Sequence, residues 1–499
     1  LGGGAGGLGE GEMVTLAVDS LETRRHRLVR RPQCPCCGDP GRWSRAAEPI
    51  RLRSQMKRFT ADGGHRVVSP ERTLARYGHH VSPITGAVSN LEPVPLDDDG
   101  LLHVYFAGHN LSSPADNLHA LRRGLRSNSS GKGVKDNQAR ASGLCEALER
   151  YSGVFRGNEM RTRATYRSLG DIAIHPNACM LFSATQYQHA ATWNRSGSPF
   201  KRVPEPFDEE ASVDWTPVWS LTHQTHRYLP TAYCYYNALA QPDARYCWGD
   251  SNGSAAGNTV EEAILQGFFE LVERDSVGLW WYNLAKRPAV DLDSFDEPYV
   301  AGMIDNYQKR HRAVWVLDIT GDLGIPAFTA ISRRIDQQPE HMLFGFGAHF
   351  DARIALLRAL TEMNQNLAFD IDPGQATTED DREAEMWLRN ATIANQAHLA
   401  PDDAVRPRRR DDFAAQSSED VREDVLCCQA LVEQLGLEML VLDQTRPDVE
   451  LPVAKVFVPG MRHLWARFAP GRLYDVPVKL GWLGAKRTED QLNPITMSF

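Results

Sequence analysis

Residues 258–282 read NTVEEAILQGFFELVERDSVGLWWY, and this stretch decides the fold. It has the apolar content of a buried helix, yet at about 100° per residue its polar side chains share one arc of about 80°. Those side chains are Glu262, Gln266, Glu270 and Glu273. The stretch ends in three aromatic residues, 280–282, which predict deep packing. A carboxylate face on a buried helix needs a partner, and no lysine or arginine lies in the arc.

A second acidic face is predicted upstream, where residues 138–151 read QARASGLCEALERY. Its polar side is formed by Gln138, Ser142, Glu146 and Glu149. Five glutamates on two such faces are suited to hard cations, and Mg²⁺ with nucleotide phosphates is the commonest use of such a group. A simpler interpretation stays open, in which both faces are solvated and carry surface ion pairs four residues apart. Those pairs would be Glu146–Arg150 and Glu270–Arg274.

The bulk properties limit the classes of protein that remain. The 499 residues are enough for two or more domains, and the net charge of -9 argues against a broad nucleic-acid surface. No apolar run reaches the roughly 18 residues of a membrane span, and no signal peptide precedes residue 12. Nine cysteines at irregular spacing argue against a disulfide framework and favour a reducing compartment. We therefore expect a cytoplasmic protein with no nucleic-acid or membrane partner.

Hydrophobic patterns place further elements along the chain. Strands are predicted at 215–221, 313–318, 325–331, 342–348, 439–442 and 453–458. Helices are predicted at 351–367 and 421–435. The glycine-containing stretch SNSSGKG, residues 127–133, is expected to be a loop, and the polar residues 370–423 a mobile helix-and-loop excursion. Strands mixed with helices indicate an α/β (mixed α+β) class.

Several motifs in a fixed order carry a family resemblance. They are SSGKG (129–133), the two glutamate stretches, ALLRALTEMNQ (355–365), LDQTRPDVELPVAKVFVPGM (442–461) and VPVKLGW (476–482). From about residue 67 to the C-terminus the chain resembles the YcaO superfamily, specifically the azoline-forming cyclodehydratases that act on ribosomal peptides. The resemblance implies a YcaO-type ATP-binding fold with two pseudo-repeated glutamate helices and no P-loop.

The resemblance also implies roles for individual residues. The Mg²⁺ ligands would be Glu146, Glu149, Glu262, Glu270 and Glu273. ATP would contact Ser130, Lys132, Gly133, Glu146, Asn258, Glu262 and Arg358. Arg358 and the terminal Phe499 would act in catalysis, although family tails often read Pro-x-Pro-x-Pro and this one keeps only Pro494. Two alternatives stay open: SSGKG is a plain flexible loop, and Arg358 pairs with Glu362.

The implied reaction begins when a Cys, Ser or Thr side chain attacks the preceding amide carbonyl of a precursor peptide. ATP phosphorylates the resulting hemiorthoamide oxygen, and loss of phosphate leaves an azoline ring. External sulfide would instead give a thioamide, and a peptide amine an amidine. A degenerate precursor-binding scaffold is a non-enzymatic alternative, and nucleic-acid binding through RPRRR (406–410) and the basic stretch RRHRLVRR (24–31) is a further, weaker one.

The N-terminal stretch TLAVDSLETRRHRLVRRPQCPCCGDP (15–40) resembles the end of the adenylating-enzyme-like domain that binds leader peptides in fused cyclodehydratases. We therefore expect residues 1–66 to be the tail of such a domain and a linker, and residues 67–499 the YcaO domain of a longer fused protein. Cys34 and Cys37 would be two ligands of a structural Zn²⁺, or else free thiols. The expected partners are a precursor peptide with its leader, a leader-binding module, a flavin dehydrogenase and a second copy of the chain as a homodimer.

Overall fold

The computed structural model describes residues 11–34, 36–39, 47–95, 100–110, 128–196, 201–236, 242–368 and 379–497. Helices and strands alternate irregularly along these residues, which confirms the predicted mixed α/β class. The helices are α1 (Pro70–Tyr77), α2 (Asp136–Ser152), α3 (Tyr166–Leu169), α4 (Pro176–Met180), α5 (Ala184–Gln188), α6 (Ala190–Trp193), α7 (Thr231–Cys234), α8 (Val260–Tyr282), α9 (Pro298–Lys309), α10 (Ala352–Ala368), α11 (Glu379–Asn390), α12 (Val421–Gln434) and α13 (Arg472–Lys479).

The strands form five sheets among the described residues. They are β1 (Glu12–Leu16), β2 (Thr23–Arg27), β3 (Phe59–Ala61), β4 (Gly64–Arg66), β5 (Val88–Pro93), β6 (His103–His109), β7 (Asn128–Gly133), β8 (Thr162–Ala164), β9 (Val213–Ser220), β10 (Thr225–Pro230), β11 (Ser254–Ala256), β12 (Arg312–Asp318), β13 (Ala327–Arg334), β14 (Leu343–Ala348), β15 (Leu440–Asp443) and β16 (Val453–Phe457). The largest sheet has the order β10-β9-β15-β16-β11, with β8 beside β9. Two three-stranded sheets, β5-β6-β7 and β12-β13-β14, and the hairpins β1-β2 and β3-β4 complete the set.

Three strand-to-helix units position the acidic faces. Strand β7 leads into α2, β11 into α8 and β14 into α10, and α2 and α10 each pack on the sheet they follow. Helix α8 lies between the large sheet and the sheet β12-β13-β14. Trp280 and Trp281 near its end have no exposed surface. The predicted deep packing of this helix is therefore confirmed.

Most sequence-based element predictions are confirmed within a few residues, including strands β9, β12, β13, β14, β15 and β16 and helices α10 and α12. The predicted loop at 127–133 is wrong over its described part, because Asn128–Gly133 forms the edge strand β7. A Cβ on Gly131 would lie 2.1 Å from both the Ala139 carbonyl oxygen and the Gly143 amide nitrogen. The glycine thus permits close packing of this strand on α2 rather than loop freedom.

The predicted mobile excursion at 370–423 is also corrected where it is described. The amide of Arg408 donates to the carbonyl of Ala289 at 2.7 Å, so this segment is hydrogen-bonded to the body of the protein. The basic run is paired with carboxylates, Arg406 with Asp412 at 2.6 Å and Arg409 with Asp291 at 2.6 Å. These pairs remove the basis for a nucleic-acid surface at RPRRR.

The segment between the N-terminal hairpin and α1 is bound to two adjacent carboxylates at the start of α8. Glu261 accepts a hydrogen bond from the amide of Arg53 at 2.7 Å, and Glu262 accepts one from the amide of Val67 at 2.5 Å. The domain boundary at residues 66/67 stays a prediction. Within the described ranges, no helix is long and apolar enough to cross a membrane.

Gly267 offers a test of how closely α8 approaches its neighbours. A Cβ at this position would lie 2.4 Å from the carbonyl oxygen of Gly253, whereas one on Gly302 in α9 would make ordinary contacts at 3.6 Å. We expect Gly267→Ala to destabilise the protein by about 1–3 kcal/mol through overpacking. Gly302→Ala, in contrast, is expected to be neutral or stabilising by up to about 1 kcal/mol. Urea unfolding of both variants checks this, and equal effects would contradict the close approach.

Candidate functional site

A cleft of about 380 Å³ opens where α2, α8 and α10 face one another. All five predicted metal-binding glutamates line it: Glu146, Glu149, Glu262, Glu270 and Glu273. Of the other predicted residues, Ser130, Lys132, Asn258 and Arg358 also line the cleft, whereas Gly133 does not. The predicted catalytic Phe499 lies outside the described residues. The two acidic faces therefore meet in one cavity, as the sequence pattern predicted.

Helix α2 brings Glu146 and Glu149 to the cleft on either side of one arginine. Arg150 donates to Glu149 Oε1 at 2.8 Å and to Glu146 Oε1 at 3.3 Å. Burial raises the pKa of Glu149 to about 8, against the opposing effect of Arg150 and with the help of nearby Glu146 and Glu270. Tyr236 supports the arginine, because its hydroxyl accepts from Arg150 Nη1 at 3.1 Å.

Helix α8 repeats this arrangement with Glu270, Glu273 and Arg274. Arg274 lies 3.4 Å from Glu270 Oε1 and 3.6 Å from Glu273 Oε1. Glu270 also accepts a hydrogen bond from the amide of Gly253 at 3.0 Å. Burial raises the pKa of Glu273 to about 7; Arg274 lowers it and the neighbouring Glu362 raises it. With Glu149, Glu273 is thus one of two carboxyl groups in the cleft whose pKa lies near neutral pH.

Glu262 connects the acidic face to the rim of the cleft. Its side chain is buried and accepts hydrogen bonds from the amides of Val67 at 2.5 Å and Asn258 at 2.8 Å. Asn258 accepts in turn from the hydroxyl of Thr73 at 3.2 Å. Glu262 therefore fixes two chain segments at the rim in addition to contributing negative charge.

The cationic side of the cleft is centred on Arg358. Its guanidinium donates to Gln266 Oε1 at 2.6 Å, to the carbonyl of Gly63 at 3.0 Å and to that of Ala348 at 3.1 Å. Burial, and then the nearby Arg66, lower the pKa of Arg358 to about 9. Because all these acceptors are neutral, the charge of Arg358 is available to an anionic ligand.

The alternative pairing of Arg358 with Glu362 is not observed. Glu362 binds Lys132 Nζ at 2.6 Å instead, which joins α10 to strand β7. The flexible-loop alternative for SSGKG is likewise excluded, since Ser130 and Lys132 belong to that strand and Ser130 accepts from Gln365. Strand and helix together place a lysine and a carboxylate on the cleft wall.

The interpretation of both acidic faces as freely solvated is wrong for three of their glutamates, while the side chain of Glu146 is 33% exposed. The side chains of Glu149, Glu270 and Glu273 are only 10%, 20% and 12% exposed. The i,i+4 pairs exist, but they lie in the cleft rather than on the open surface. Arg150 and Arg274 lie outside the two polar arcs, and their side chains reach the glutamates from the edge of each face. The sequence argument considered basic residues only within the arcs and therefore did not predict these arginines as site residues.

Several residues that line the cleft were not predicted as site residues from the sequence: Asp62, Arg66, Arg274, Glu362 and Gln365. Glu362 and Gln365 could have been predicted from the sequence, because they follow Arg358 at helical spacing. Asp62 and Arg66 come from the hairpin β3-β4, and only the fold brings them close. Asp62 accepts from the amide of Val134 at 2.9 Å, which holds this hairpin over the cleft.

The donor set fits a magnesium–nucleotide complex better than an isolated ion. No group of three or more His, Cys, Asp or Glu side chains in the described part of the chain forms a preassembled metal cage. Mg²⁺ usually keeps several waters and binds one or two carboxylates plus substrate phosphates, so it needs no such cage. The carboxylates of the cleft, beside the partly buried Arg358, match this requirement.

The lack of a group of three or more possible metal ligands among the described residues also concerns the predicted zinc site. Cys34 and Cys37 have no third and fourth ligand among the described residues, and structural zinc is therefore not supported. At the other end of the chain, Leu492, Asn493, Thr496 and Met497 are buried while Pro494 is exposed, and the amide of Met497 donates to the Tyr282 hydroxyl at 3.4 Å.

Comparisons with known proteins agree with this geometry. A family model described as "YcaO cyclodehydratase, ATP- and Mg²⁺-binding" matches residues 130–462. A heterocyclase solved in complex with substrate and cofactor is 49% identical, with a TM-score of 0.92 over 98% of this chain. The heterocyclase TruD is 46% identical, with a TM-score of 0.78 over 98% of this chain. The chain spans 64% and 61% of the lengths of these two proteins.

A third structure shares the fold alone. The YcaO protein of Methanopyrus kandleri, bound with AMPPCP and Mg²⁺, is 20% identical, with a TM-score of 0.59 over 82% of this chain and 94% of its own. The family model covers well over half of the 499 residues, including the cleft-lining strand β7 and helices α2, α8 and α10. On this match and on the convergence of its acidic helices, the chain belongs to the YcaO cyclodehydratase family.

Proposed function

We propose that this chain catalyses ATP- and Mg²⁺-dependent cyclodehydration of Cys, Ser or Thr residues in a ribosomal precursor peptide. The observation that carries the proposal is the meeting of buried and partly buried carboxylates from α2, α8 and α10 with Arg358 in one cleft. The 49% identity to a heterocyclase supports the reaction class. Because the chain spans only part of that relative, the activity of the whole protein is proposed by similarity.

The residues of the cleft divide into two functional groups. The glutamates of α2 and α8 hold Mg²⁺, which when bound neutralises phosphate charge and orients the γ-phosphate. Arg358 and Lys132 contact the phosphates, and Ser130 and Asn258 position the nucleotide at the cleft wall and rim. Phosphoryl transfer needs positioning and charge stabilisation more than covalent help from the protein.

The proposed reaction has two steps: ring closure with phosphoryl transfer from ATP, and then loss of phosphate. The thiol or hydroxyl heteroatom bonds to the preceding carbonyl carbon and loses its proton, and the amide oxygen takes the γ-phosphoryl group as ADP leaves. The amide nitrogen then loses its proton and forms the C=N bond while phosphate departs. Arg358 stabilises negative charge on the transferred group.

Partners follow from the same proposal. The heterocyclase relative was solved with substrate, which supports a peptide substrate for this chain. We propose that residues 1–66 continue a leader-binding domain, that a leader-binding module presents the precursor, and that a flavin dehydrogenase oxidises the rings afterwards. We also propose that the protein is a homodimer and that it acts in the cytoplasm.

Nucleotide binding tests the cleft separately from the chemistry. We expect Glu262→Gln to weaken the affinity for a non-hydrolysable ATP analogue with Mg²⁺ by at least about tenfold, because a charge and a rim contact are altered. Glu261→Gln is the matched control, since this adjacent buried carboxylate contacts the amide of Arg53 and does not line the cleft. Calorimetry on both variants checks the expectation. Equal affinities in the two variants would contradict the assignment of Glu262.

Product mass tests the reaction itself. With precursor peptide, leader-binding module, ATP and Mg²⁺, we expect the peptide to lose the mass of one water for each ring, with one ADP formed. Arg358→Lys should slow this by about 10²-fold or more, because one point charge replaces a guanidinium with three hydrogen bonds. Mass spectrometry separates azoline from thioamide and amidine products. Nucleotide binding with no change in peptide mass would favour the scaffold alternative.

A further inference from the structure

Arg462 is a buried cation without a carboxylate partner. It is 3% exposed, and its side chain makes one hydrogen bond, from Nη2 to the carbonyl of Pro470 at 2.8 Å. Its Nε and Nη1 atoms are buried with no acceptor among the described residues. Burying a charged group with unsatisfied donors is costly unless a partner is present. The position therefore calls for a negatively charged acceptor.

The nearest carboxylate is already used by another arginine. Asp275 accepts from Arg472 at 2.5 Å and 3.1 Å and from the backbone amide, not the guanidinium, of Arg462 at 2.7 Å. Arg472 also binds Asp322 at 2.7 Å. This network fixes the backbone of Arg462 beside α8 and leaves its guanidinium without an ion pair in the described chain.

A second unsatisfied donor lies on the same small cavity. Arg274 and Arg462 both line a void of about 20 Å³, and the Nε atom of Arg274 is buried without an acceptor. A void of this size holds one water-sized species. Two further polar side chains on its wall contact each other, since Asn252 Nδ2 and His463 Nδ1 are 2.9 Å apart. Burial lowers the pKa of His463 to about 4, so this ring carries no charge at neutral pH.

We propose that this cavity binds a single monovalent inorganic anion of chloride size between Arg274 and Arg462. The buried side-chain atoms without a partner on the described wall, Arg274 Nε and Arg462 Nε and Nη1, are all N–H donors, which suits an anion. A water molecule would supply acceptors but no charge to offset the buried guanidinium of Arg462. Arg274 also lines the cleft beside Glu270 and Glu273, so the anion would lie directly behind the acidic site.

Thermal stability in different salts tests the proposal. At equal ionic strength, we expect the melting temperature in chloride or bromide to exceed that in gluconate by at least about 2 °C, because the anion binds only the folded state. Arg462→Met should remove this difference. Arg446→Met is the control for general salt effects, because Arg446 is a buried arginine that pairs with Asp448 at 3.0 Å. Its melting temperature should fall without losing the chloride difference.

Anomalous diffraction on the wild-type protein keeps the proposal testable if Arg462→Met does not fold. Crystals soaked in sodium bromide should show one anomalous peak between the guanidinium groups of Arg274 and Arg462. A peak together with a chloride-dependent melting temperature supports the site. An ordered water at that place with no bromide signal, or an Arg462→Met variant with an unchanged chloride response, would overturn it.

Discussion

The mutual repulsion of the buried and partly buried carboxylates of one cleft is the constraint on which the rest of this structure depends. Six glutamates from α2, α8 and α10 line one cleft: Glu146, Glu149, Glu262, Glu270, Glu273 and Glu362. Removing them from water opposes their ionisation, and each further negative charge adds to that cost. The protein offsets part of it with Arg150 and Arg274, which hold the carboxylates in two pairs, and with Lys132, which holds Glu362. The remaining cost is what a divalent cation with phosphates would relieve.

The packing of the helices brings the carboxylates of the cleft together. Strand β7 leads into α2, β11 into α8 and β14 into α10, so the start of each helix is set by a sheet. Glycines allow the backbones to approach, as Gly131 does against α2 and Gly267 does against the strand-loop segment at Gly253. Side chains with a Cβ at these positions would push the helices apart and separate the two halves of the acidic site. The stability of the fold and the geometry of the cleft therefore share the same contacts.

The sequence was informative where periodicity and family motifs agree. The helical spacing of Glu262, Glu270 and Glu273 predicted their common face, and the aromatic end of α8 predicted its burial. Residues whose roles depend on tertiary contacts could not be predicted this way. Asp62 and Arg66 reach the cleft only because a short hairpin folds over it, and neither lies in a periodic segment. The stretch SNSSGKG has the composition of a loop, and tertiary packing on α2 makes it a strand.

Counting the protons released when a magnesium–nucleotide complex binds tests the central claim most directly. Burial raises the pKa values of Glu149 to about 8 and of Glu273 to about 7, so these groups are partly protonated at neutral pH. Metal ligands must be deprotonated, and binding of a non-hydrolysable ATP analogue with Mg²⁺ at pH 7 should therefore release about one to two protons. The release should vanish above about pH 9, where both carboxyls are already ionised. Calorimetry in buffers of different ionisation enthalpy measures this number. Tight binding with no proton release at pH 7 would contradict the assignment of these carboxylates as the metal site.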